Sequence, residues 1–507
     1  MKFPRSSGVL MHPTSLPGPF GIGELGPEAF AFVDFLKSAG QKLWQVLPLN
    51  PTGYGDSPFQ CFSASAGNPL LISVEKLQAS GVLEAGDLRG LPKWKEGEVE
   101  FGSLIRWKMP LLKKAAECFL KSASGQDRRA FEQFCRDNAA WLDDFALFMA
   151  QKDLDSKLVW NQWPKAMARR EADALRECRQ RLASEIEASK YCQFEFFRQW
   201  HAVREYAHAN GIRIIGDIPI YVALDSADVW ANPEYFLLDD GGRALKVAGV
   251  PPDYFSATGQ LWGNPIYNWE RHKQTGYRWW VDRFRSALRL YDAMRIDHFR
   301  GFEAYWEIPA EATTAMHGHW VKGPGAELFS VLQRELGDLP IVAENLGVIT
   351  PEVEAIRHQF NFPGMAILQF AFGKDPQGPT FRPHNYARDL VAYTGTHDND
   401  TTAGWWHSGG AGDSTRTPED VRKEHAYARA YLGFNDEPIH WVLIRGVMSS
   451  VANTAIVPLQ DLLGLGTEAR MNLPGTPSGN WRWRCKSGAL TDELASRLHE
   501  MATMYDR

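Results

Sequence analysis

The sequence predicts an α/β fold in which eight parallel strands and their following helices form a (β/α)₈ TIM barrel with large helical and loop insertions. Two observations predict this fold. Eight short apolar runs lack clean alternation, as in strands buried on both faces, and helical periodicity usually follows them. The runs lie at residues 8–11, 43–47, 212–215, 293–296, 341–343, 366–370, 390–393 and 454–458. We expect no separate C-terminal β-sandwich domain.

The first strand–helix unit has the expected pattern. Pro27 stands where a helix would begin, and Gly40 lies just beyond its end. The apolar side chains that share one face of this helix are Ala29, Phe32, Val33 and Leu36. The segment therefore predicts a strand followed by an amphipathic helix that packs on it.

The spacing of the runs locates two insertions within what we predict to be a single domain, residues 1–507. The gap between the second and third runs is far longer than one crossover helix needs, and its pattern predicts a mostly helical insertion at residues 68–205. Its charged stretch, 169–187, is typical of a solvated helix face. A second insertion, residues 219–290, is rich in turns and aromatic side chains.

Charge and hydropathy exclude several classes of function. The 55 basic and 61 acidic side chains give a net charge of −6 without a Lys/Arg block, which argues against a nucleic-acid partner. No run of 18 apolar residues predicts a membrane span, and the N-terminal apolar stretch is too short for an export signal. The six cysteines are scattered and form no CxxC pair. We expect a cytoplasmic protein.

Tryptophan is abundant, with 19 residues, and aromatic side chains make up 12% of the chain. Core packing alone would explain this content. Alternatively, indole faces cover the apolar faces of sugar rings, where burying about 60 Å² at roughly 25 cal/mol per Å² contributes about 1.5 kcal/mol for each ring. Composition leaves both interpretations open.

Polar side chains follow the predicted strands at their carboxyl ends, where a barrel of this kind places its active site. Among them, four carboxylates from four different strands would converge on one rim: Asp217, Asp297, Glu344 and Asp398. The other polar residues at strand ends are His12, Asn50, Gln369, Gln460 and Asp461. Any single acid is explained equally well as a helix N-cap. Four acids at one rim repel one another, so their convergence favours a function.

The local sequence indicates how these carboxylates divide the chemistry. Arg295 and Asp297 are two residues apart on a predicted strand, so both emerge on one face, and the guanidinium would hold the carboxylate ionised, as a nucleophile requires. Glu344 follows an apolar run, where burial and nearby negative charge would raise its pKa, as a proton donor requires. A turn containing glycine presents His397 beside Asp398.

Other chemistries have less support from the sequence. His298, His397, Asp398 and Asp400 are of residue types that bind metals, but no HExxH motif accompanies them. The GxGxxG match at residues 21–26 follows two prolines and lacks an acid about 20 residues on, which disfavours a dinucleotide site. Neither a P-loop nor a Gly-x-Ser-x-Gly motif occurs.

Several long motifs give the sequence a resemblance to a known family. They are NPTGYGDSPFQ at 50–60, GDIPIY at 216–221, GVPPDYFSATGQLWGNPIYNW at 249–269, RIDHFRGF, AENLGVITPEV, FPGMAILQFAF, TGTHDNDTTAGWW and MNLPGTPSGNWRWR. On these motifs the whole chain resembles the 4-α-glucanotransferases called amylomaltase or disproportionating enzyme, glycoside hydrolase family 77 of the α-amylase superfamily. The chain departs from the family at Asn345, where the resemblance leads us to expect Asp in many members.

The resemblance implies a retaining transfer of an α-1,4-glucan segment to the 4-hydroxyl of an acceptor, either glucose or a maltooligosaccharide. Asp297 would attack the anomeric carbon while Glu344 protonates the departing oxygen, with the two carboxyls about 5–5.5 Å apart. Glu344 would then deprotonate the acceptor, and Asp398 would stabilise the oxocarbenium-like transition state. The resemblance implies no cofactor, no metal, and no nucleic-acid or membrane partner.

The resemblance also implies residues that bind the substrate. Arg295 would orient Asp297, and the residues expected to hydrogen-bond the sugar at the point of cleavage are Asp217, His298 and His397. The density of aromatic residues in the loop 249–269 leads us to the hypothesis that this loop covers the acceptor side and excludes water. Its expected substrate-binding residues are Tyr254, Phe255, Trp262 and Asn264. Tyr54 and Ser57 would line the donor side.

Two alternatives remain. A glucan hydrolase would use the same carboxylates and differ only in the access of water to the site. A glucan-binding protein without activity would keep the aromatic surfaces, but nothing would then retain every carboxylate that a double displacement needs.

Overall fold

Short strands with apolar side chains on both faces build the centre of the molecule. The computed structural model describes residues 4–154, 158–252, 258–408, 417–433 and 436–507. These residues form twelve strands: β1 (Ser6–Leu10), β2 (Leu43–Gln45), β3 (Arg213–Pro219), β4 (Lys246–Val250), β5 (Gln260–Pro265), β6 (Ala293–Asp297), β7 (Ala304–Pro309), β8 (His319–Lys322), β9 (Ile341–Ala343), β10 (Gly364–Ile367), β11 (Leu390–Tyr393) and β12 (Thr454–Pro458). Each of the eight apolar runs in the sequence overlaps one of these strands.

Eight of the strands lie side by side and parallel in one sheet. Their order is β10-β11-β12-β1-β2-β3-β6-β9. The main-chain N–H of Ala343, the last residue of β9, donates to the carbonyl of Pro363, just before β10, at 2.9 Å. This hydrogen bond brings the two ends of the sheet together, and the predicted (β/α)₈ barrel is confirmed.

Helices surround the barrel. The first helix begins at Pro27 and buries the face predicted from the sequence, including Phe32, Val33 and Leu36. The described residues form seventeen α-helices: α1 (Pro27–Ser38), α2 (Val74–Ala79), α3 (Phe101–Ser122), α4 (Gly125–Leu154), α5 (Lys165–Ala168), α6 (Ala172–Arg181), α7 (Ala183–Ala209), α8 (Ala227–Ala231), α9 (Trp269–Gln274), α10 (Arg278–Leu290), α11 (Ala326–Leu336), α12 (Pro351–Gln359), α13 (Thr402–His407), α14 (Pro418–Leu432), α15 (Ile439–Met448), α16 (Leu459–Leu462) and α17 (Asp492–Met504).

Helices α2 to α7 lie between β2 and β3, in the part of the chain where the sequence predicts helices. α4 and α7 pack along each other, and an aromatic cluster joins them to α3. The ring centroid of Phe119 lies 5.7 Å from that of Phe131 and 4.8 Å from that of Tyr191. α7 also packs on α1 and β3, so this long helix connects the group of helices to the barrel.

A second sheet, which the sequence analysis did not predict, stands beside the mouth of the barrel. Its order is β5-β4-β7-β8, with antiparallel neighbours. It combines two strands from residues 219–290 with two strands from the connection between β6 and β9. The indole of Trp262 on β5 lies 4.8 Å from the ring of His298, just after β6. This contact places the second sheet against the carboxyl end of the barrel.

Tryptophans contribute to the core of the protein. The indoles of Trp44, Trp200, Trp230 and Trp280 are fully buried, so packing accounts for part of the high tryptophan content. Within the described residues no helix has both the length and the apolar character that crossing a lipid bilayer requires.

Candidate active site

Asp297 and Glu344 lie at the carboxyl ends of two neighbouring strands. β6 and β9 pair in parallel with Ile296 opposite Ala343, so the next residues, Asp297 and Glu344, reach the same level of the barrel. The main-chain N–H of Glu344 donates to the carbonyl of Ile296 at 3.1 Å. Two acids that are far apart in the sequence therefore share one end of the barrel.

The carboxylate of Glu344 is buried, with 9% of the residue exposed. Its Oε2 accepts a 2.8 Å hydrogen bond from the main-chain N–H of His298, and its Oε1 accepts a 2.7 Å bond from that of Leu346. Burial raises the pKa of Glu344 to about 7, with Asp297 adding to this effect and Arg295 opposing it. The carboxyl is therefore able to hold or release a proton near neutral pH, as general acid–base chemistry requires.

Arg295 joins two of the carboxylates. Its Nη2 donates to Asp297 Oδ1 at 2.7 Å, and its Nη1 lies 2.9 and 2.8 Å from the two oxygens of Asp217. Burial disfavours the charge of the guanidinium, but the two carboxylates outweigh burial and raise the pKa of Arg295 well above its ordinary value. The cation stays in place beside Asp297, whose side chain is 30% exposed and thus open to a substrate.

Asp217 lies deeper in the barrel than its neighbours. Its side chain is fully buried, and both of its oxygens face Arg295. Burial raises the pKa of Asp217, and the Arg295 cation beside it opposes this shift and favours the carboxylate. The structure thus brings Asp217 into the cluster as the partner of Arg295, while its contact with a sugar stays a prediction.

Asp398 stands on the open side of the site, with 41% of its side chain exposed. Its Oδ1 accepts a 2.6 Å hydrogen bond from Asn472 Nδ2, and its main-chain carbonyl accepts a 2.7 Å bond from Arg470. The order of strand ends gave no signal for Asn472 and Arg470, because both lie on a late segment that carries no barrel strand. Asn472 belongs to the MNLPGTPSGNWRWR motif, which is the sequence signal that points to it.

Aromatic rings hold His397 next to Asp398. The imidazole stacks on Phe59, with ring centroids 5.0 Å apart and 17° between the planes, and Trp481 lies 5.8 Å away. Burial lowers the pKa of His397, so the ring is neutral at pH 7, with one nitrogen able to donate and the other to accept a hydrogen bond. Reasoning from strand ends did not find Phe59 and Trp481, since neither carries a group that does chemistry.

His298 has a left-handed backbone conformation, with φ 56° and ψ 46°, which residues other than glycine seldom adopt. It directly follows the strand that carries Asp297, and its main-chain N–H is the group that reaches Glu344. Its ring is buried, which lowers the pKa of His298 to about 3, and the indole of Trp262 packs edge-on against it. The left-handed conformation of His298 therefore occurs at the residue whose main-chain N–H binds the carboxylate of Glu344.

The residues predicted for the donor side lie on the loop after β2. Tyr54 is 58% exposed, and its hydroxyl donates to Asp225 Oδ2 at 3.4 Å. Ser57 Oγ accepts a 3.2 Å hydrogen bond from the main-chain N–H of Phe59. Ser57 thus shapes the loop that carries the ring stacked on His397.

Asn264 connects this loop to the second sheet. Its Oδ1 accepts a 3.0 Å hydrogen bond from Gln60 Nε2, and its Nδ2 donates to the carbonyl of Val222 at 2.9 Å. Tyr254 and Phe255, also predicted for the acceptor side, lie outside the described residues. Trp262, predicted for the same side, packs against His298.

The part of the chain that the structure describes contains no group of three or more His, Cys, Asp and Glu side chains suited to hold a metal ion. Asp400 is of a residue type that binds metals, but its Oδ2 accepts a 2.8 Å hydrogen bond from Thr467 Oγ1. The groups gathered at the barrel mouth include carboxylates, the guanidinium of Arg295 and the imidazoles of His298 and His397.

Comparisons of the sequence with known proteins identify the family to which the chain belongs. A family profile described as 4-alpha-glucanotransferase matches residues 11–491. The 4-alpha-glucanotransferase of Thermus thermophilus is 52% identical over 100% of both chains. The chloroplastic/amyloplastic 4-alpha-glucanotransferase of Solanum tuberosum is 45% identical over 99% of this chain and 86% of its own.

Comparisons with solved structures give the same result. Amylomaltase from Streptococcus agalactiae, solved in complex with acarbose, superposes with a TM-score of 0.94 at 43% identity over 99% of both chains. Amylomaltase from Corynebacterium glutamicum is 20% identical, with a TM-score of 0.79 over 99% of this chain and 75% of its own. The second similarity is one of fold alone.

Proposed function

Because the chain belongs to the 4-alpha-glucanotransferase family, we propose that Asp297, Glu344 and Asp398 carry out its transfer of α-1,4-glucan segments. The observation that carries this assignment is the pairing of β6 with β9, which sets Asp297 beside the buried carboxyl of Glu344. One carboxylate is open and faces a guanidinium, and the other titrates near pH 7. A retaining double displacement needs two carboxyls that differ in this way.

In the first displacement Asp297 attacks the anomeric carbon of the donor glucan and forms a glycosyl ester. The glycosidic C–O bond breaks, and Glu344 gives its proton to the departing 4-oxygen. Arg295 keeps Asp297 oriented through the 2.7 Å hydrogen bond. The departing fragment leaves with a new 4-hydroxyl at its non-reducing end.

In the second displacement the roles of the groups reverse. Glu344, now a carboxylate, takes the proton of the acceptor's 4-hydroxyl, and that oxygen attacks the anomeric carbon as the ester bond to Asp297 breaks. The N–H groups of His298 and Leu346 stabilise the carboxylate in this step. Two inversions retain the α configuration, and both acids return to their starting protonation states.

Asp398 and His397 act on the sugar without forming a bond to it. Asn472 fixes Asp398 Oδ1, so the carboxylate faces the sugar ring, where it binds hydroxyls and stabilises the positive charge of the transition state. Neutral His397, held between aromatic rings, donates a hydrogen bond to a sugar hydroxyl. Asp217 and His298 complete the set of groups that we assign to the sugar at the point of cleavage.

Transfer rather than hydrolysis requires that the glycosyl ester meet an acceptor before water reaches it. The loop 249–269 is suited to this task, and its residue Trp262 lies against His298. Tyr54 and Ser57 lie on the loop after β2, which we assign to the donor. The partners are α-1,4-glucan donors and glucose or maltooligosaccharide acceptors, and the acarbose complex of the Streptococcus agalactiae amylomaltase supports this class of ligand.

Incubation with maltotriose tests the proposal. We expect glucose together with a ladder of longer chains, whereas a hydrolase would release only shorter products. Asp297→Asn is the control and should form no product although it folds. A full ladder from Asp297→Asn would refute the assignment of the nucleophile, and binding of maltotriose without turnover by the wild-type protein would favour the glucan-binding alternative.

A further inference from the structure

A side chain closes the barrel between β9 and β10. The two strands are the ends of the strand order, and the hydrogen bond from Ala343 to Pro363 joins them at one level. Two residues further on, Asn345 Oδ1 accepts a 2.8 Å hydrogen bond from the main-chain N–H of Met365 on β10. The amide oxygen of Asn345 thus does what a strand carbonyl would do in a continued ladder.

The amide nitrogen of Asn345 is hydrogen-bonded as well. Asn345 Nδ2 donates to Glu354 Oε1 on α12 at 2.9 Å, and Glu354 Oε2 accepts a 2.9 Å hydrogen bond from Arg357 Nε. A Cβ atom at Gly364 would lie only 2.8 Å from the amide, so this close approach requires glycine. The amide is therefore clamped between a main-chain donor and a carboxylate acceptor, which fixes its orientation.

Asn345 directly follows Glu344, so the two residues anchor one short segment on both sides. The carboxylate of Glu344 is bonded toward β6 through His298, while the amide of Asn345 is bonded toward β10 and α12. From this arrangement, and on the basis of the proposed function, we propose that Asn345 is a positioning residue that holds the proton donor Glu344 at the reacting oxygen. The segment cannot shift toward the mouth of the barrel without breaking one of these bonds.

Alanine at position 345 removes both hydrogen bonds of this amide, the one from Met365 and the one to Glu354. We therefore expect Asn345→Ala to lower kcat on maltotriose by about tenfold to a hundredfold, since misplacement by about 1 Å costs this much. KM is expected to change much less, because Asn345 does not face the sugar.

The conservative variant Asn345→Asp tests the oxygen acceptor by itself. It keeps an oxygen for the main-chain N–H of Met365, and the resemblance to the family leads us to expect aspartate at this position in many members, so this variant should keep most of the wild-type kcat. An Asn345→Asp variant as slow as Asn345→Ala would overturn the proposal.

A donor that needs no acid separates positioning of Glu344 from general damage to the fold. Fluoride departs from α-maltosyl fluoride without a proton, so fluoride release in the first turnover depends on Asp297 and not on Glu344. We expect Asn345→Ala to release fluoride at nearly the wild-type rate while its turnover of maltotriose falls. Equal losses with both donors would mean a merely structural role and would overturn the proposal.

Two further variants complete the test. Asn138→Ala removes the same side chain at a buried asparagine of α4, which accepts a hydrogen bond from Arg289, and we expect it to keep wild-type kcat. Glu344→Gln reports on the proposed function, because it should lose maltotriose turnover and keep fluoride release. If Glu344→Gln stays active on maltotriose, the proposed function fails; if it is inactive while every Asn345 variant behaves as wild type, only the present inference fails.

Discussion

His298 and Glu344 are joined by a 2.8 Å hydrogen bond from the main-chain N–H of the first to Oε2 of the second. His298 directly follows Asp297, so one peptide step connects the proposed nucleophile to the group that holds the proposed acid. The left-handed conformation of His298 costs on the order of 1–2 kcal/mol and occurs where this hydrogen bond requires it. The placement of the two carboxyls therefore depends on rigid backbone more than on mobile side chains.

The pH dependence of the first chemical step follows from the burial of Glu344. Burial raises its pKa from an ordinary 4.5 to about 7, and this step needs the protonated form. We expect kcat/KM for maltotriose to decrease as the pH rises above about 7. Fluoride release from α-maltosyl fluoride is the control and should lack this limb, because no proton is needed. A decrease of kcat/KM that already begins near pH 4.5, the ordinary pKa of a glutamate, would contradict the effect of burial on Glu344.

Arg295 is expected to be more than a positive charge. Lysine keeps the charge but, as a compact ammonium, does not span Asp217 and Asp297 as the planar guanidinium does. We expect Arg295→Lys to lower kcat/KM for maltotriose by at least about tenfold, and Arg295→Met by more, since two carboxylates then lack their cation. Steady-state kinetics on folded variants, verified by circular dichroism, measure this. Wild-type rates in Arg295→Lys would show that charge alone suffices.

Trp262 is expected to limit the access of water. Replacing it with alanine removes the ring that packs on His298, so the ratio of hydrolysis to transfer should increase. Reducing ends measure this ratio, because transfer leaves their number constant and hydrolysis increases it. Leu261→Ala is a matched control, since this neighbour is partly exposed on the opposite face of β5. An unchanged ratio in Trp262→Ala would remove Trp262 from the acceptor side.

The buried ion pair between Lys108 and Glu24 makes a prediction about stability. Lys108 is fully buried, and burial raises the pKa of Glu24 to about 7 even though Lys108 opposes the shift. Removing the Lys108 cation raises the folded-state pKa of Glu24 further. A variant without the cation therefore keeps its stability at low pH, where Glu24 is protonated, and loses stability as the pH rises through the folded-state pKa of Glu24. We expect Lys108→Met to lower the free energy of unfolding by about 3–5 kcal/mol at pH 9 and by less at pH 5.

Urea denaturation at both pH values measures this effect. Lys114→Met is the control, because Lys114 forms its ion pair with Asp87 at the surface, and we expect it to remain near wild type at either pH. A loss in Lys108→Met that does not depend on pH would mean that packing of the lysine stem, and not its charge, stabilises the protein.

The barrel was predictable because buried parallel strands leave continuous apolar runs, which local sequence shows directly. The second sheet was not predictable from the sequence. Its strands are short, and β4 contains a register shift between Val247 and Gly249, so its sequence shows no clean alternation of apolar and polar residues. In the candidate site, the positions of Asp297 and Glu344 were predictable, because each residue stands at the carboxyl end of an apolar run. The contacts of Asn472 with Asp398 and of Asn345 with Glu354 join elements that only the folded chain brings together.

The most direct test of the account is to locate the covalent intermediate. Glu344→Gln should accept α-maltosyl fluoride, because this donor needs no acid, and should then accumulate the glycosyl ester, because no base activates the acceptor. Proteolysis and mass spectrometry are expected to find one maltosyl group on the peptide that contains Asp297, and none in the variant that also carries Asp297→Asn. A maltosyl group on any other carboxylate would contradict the central claim that Asp297 attacks the glucan while Glu344 serves as its acid and base.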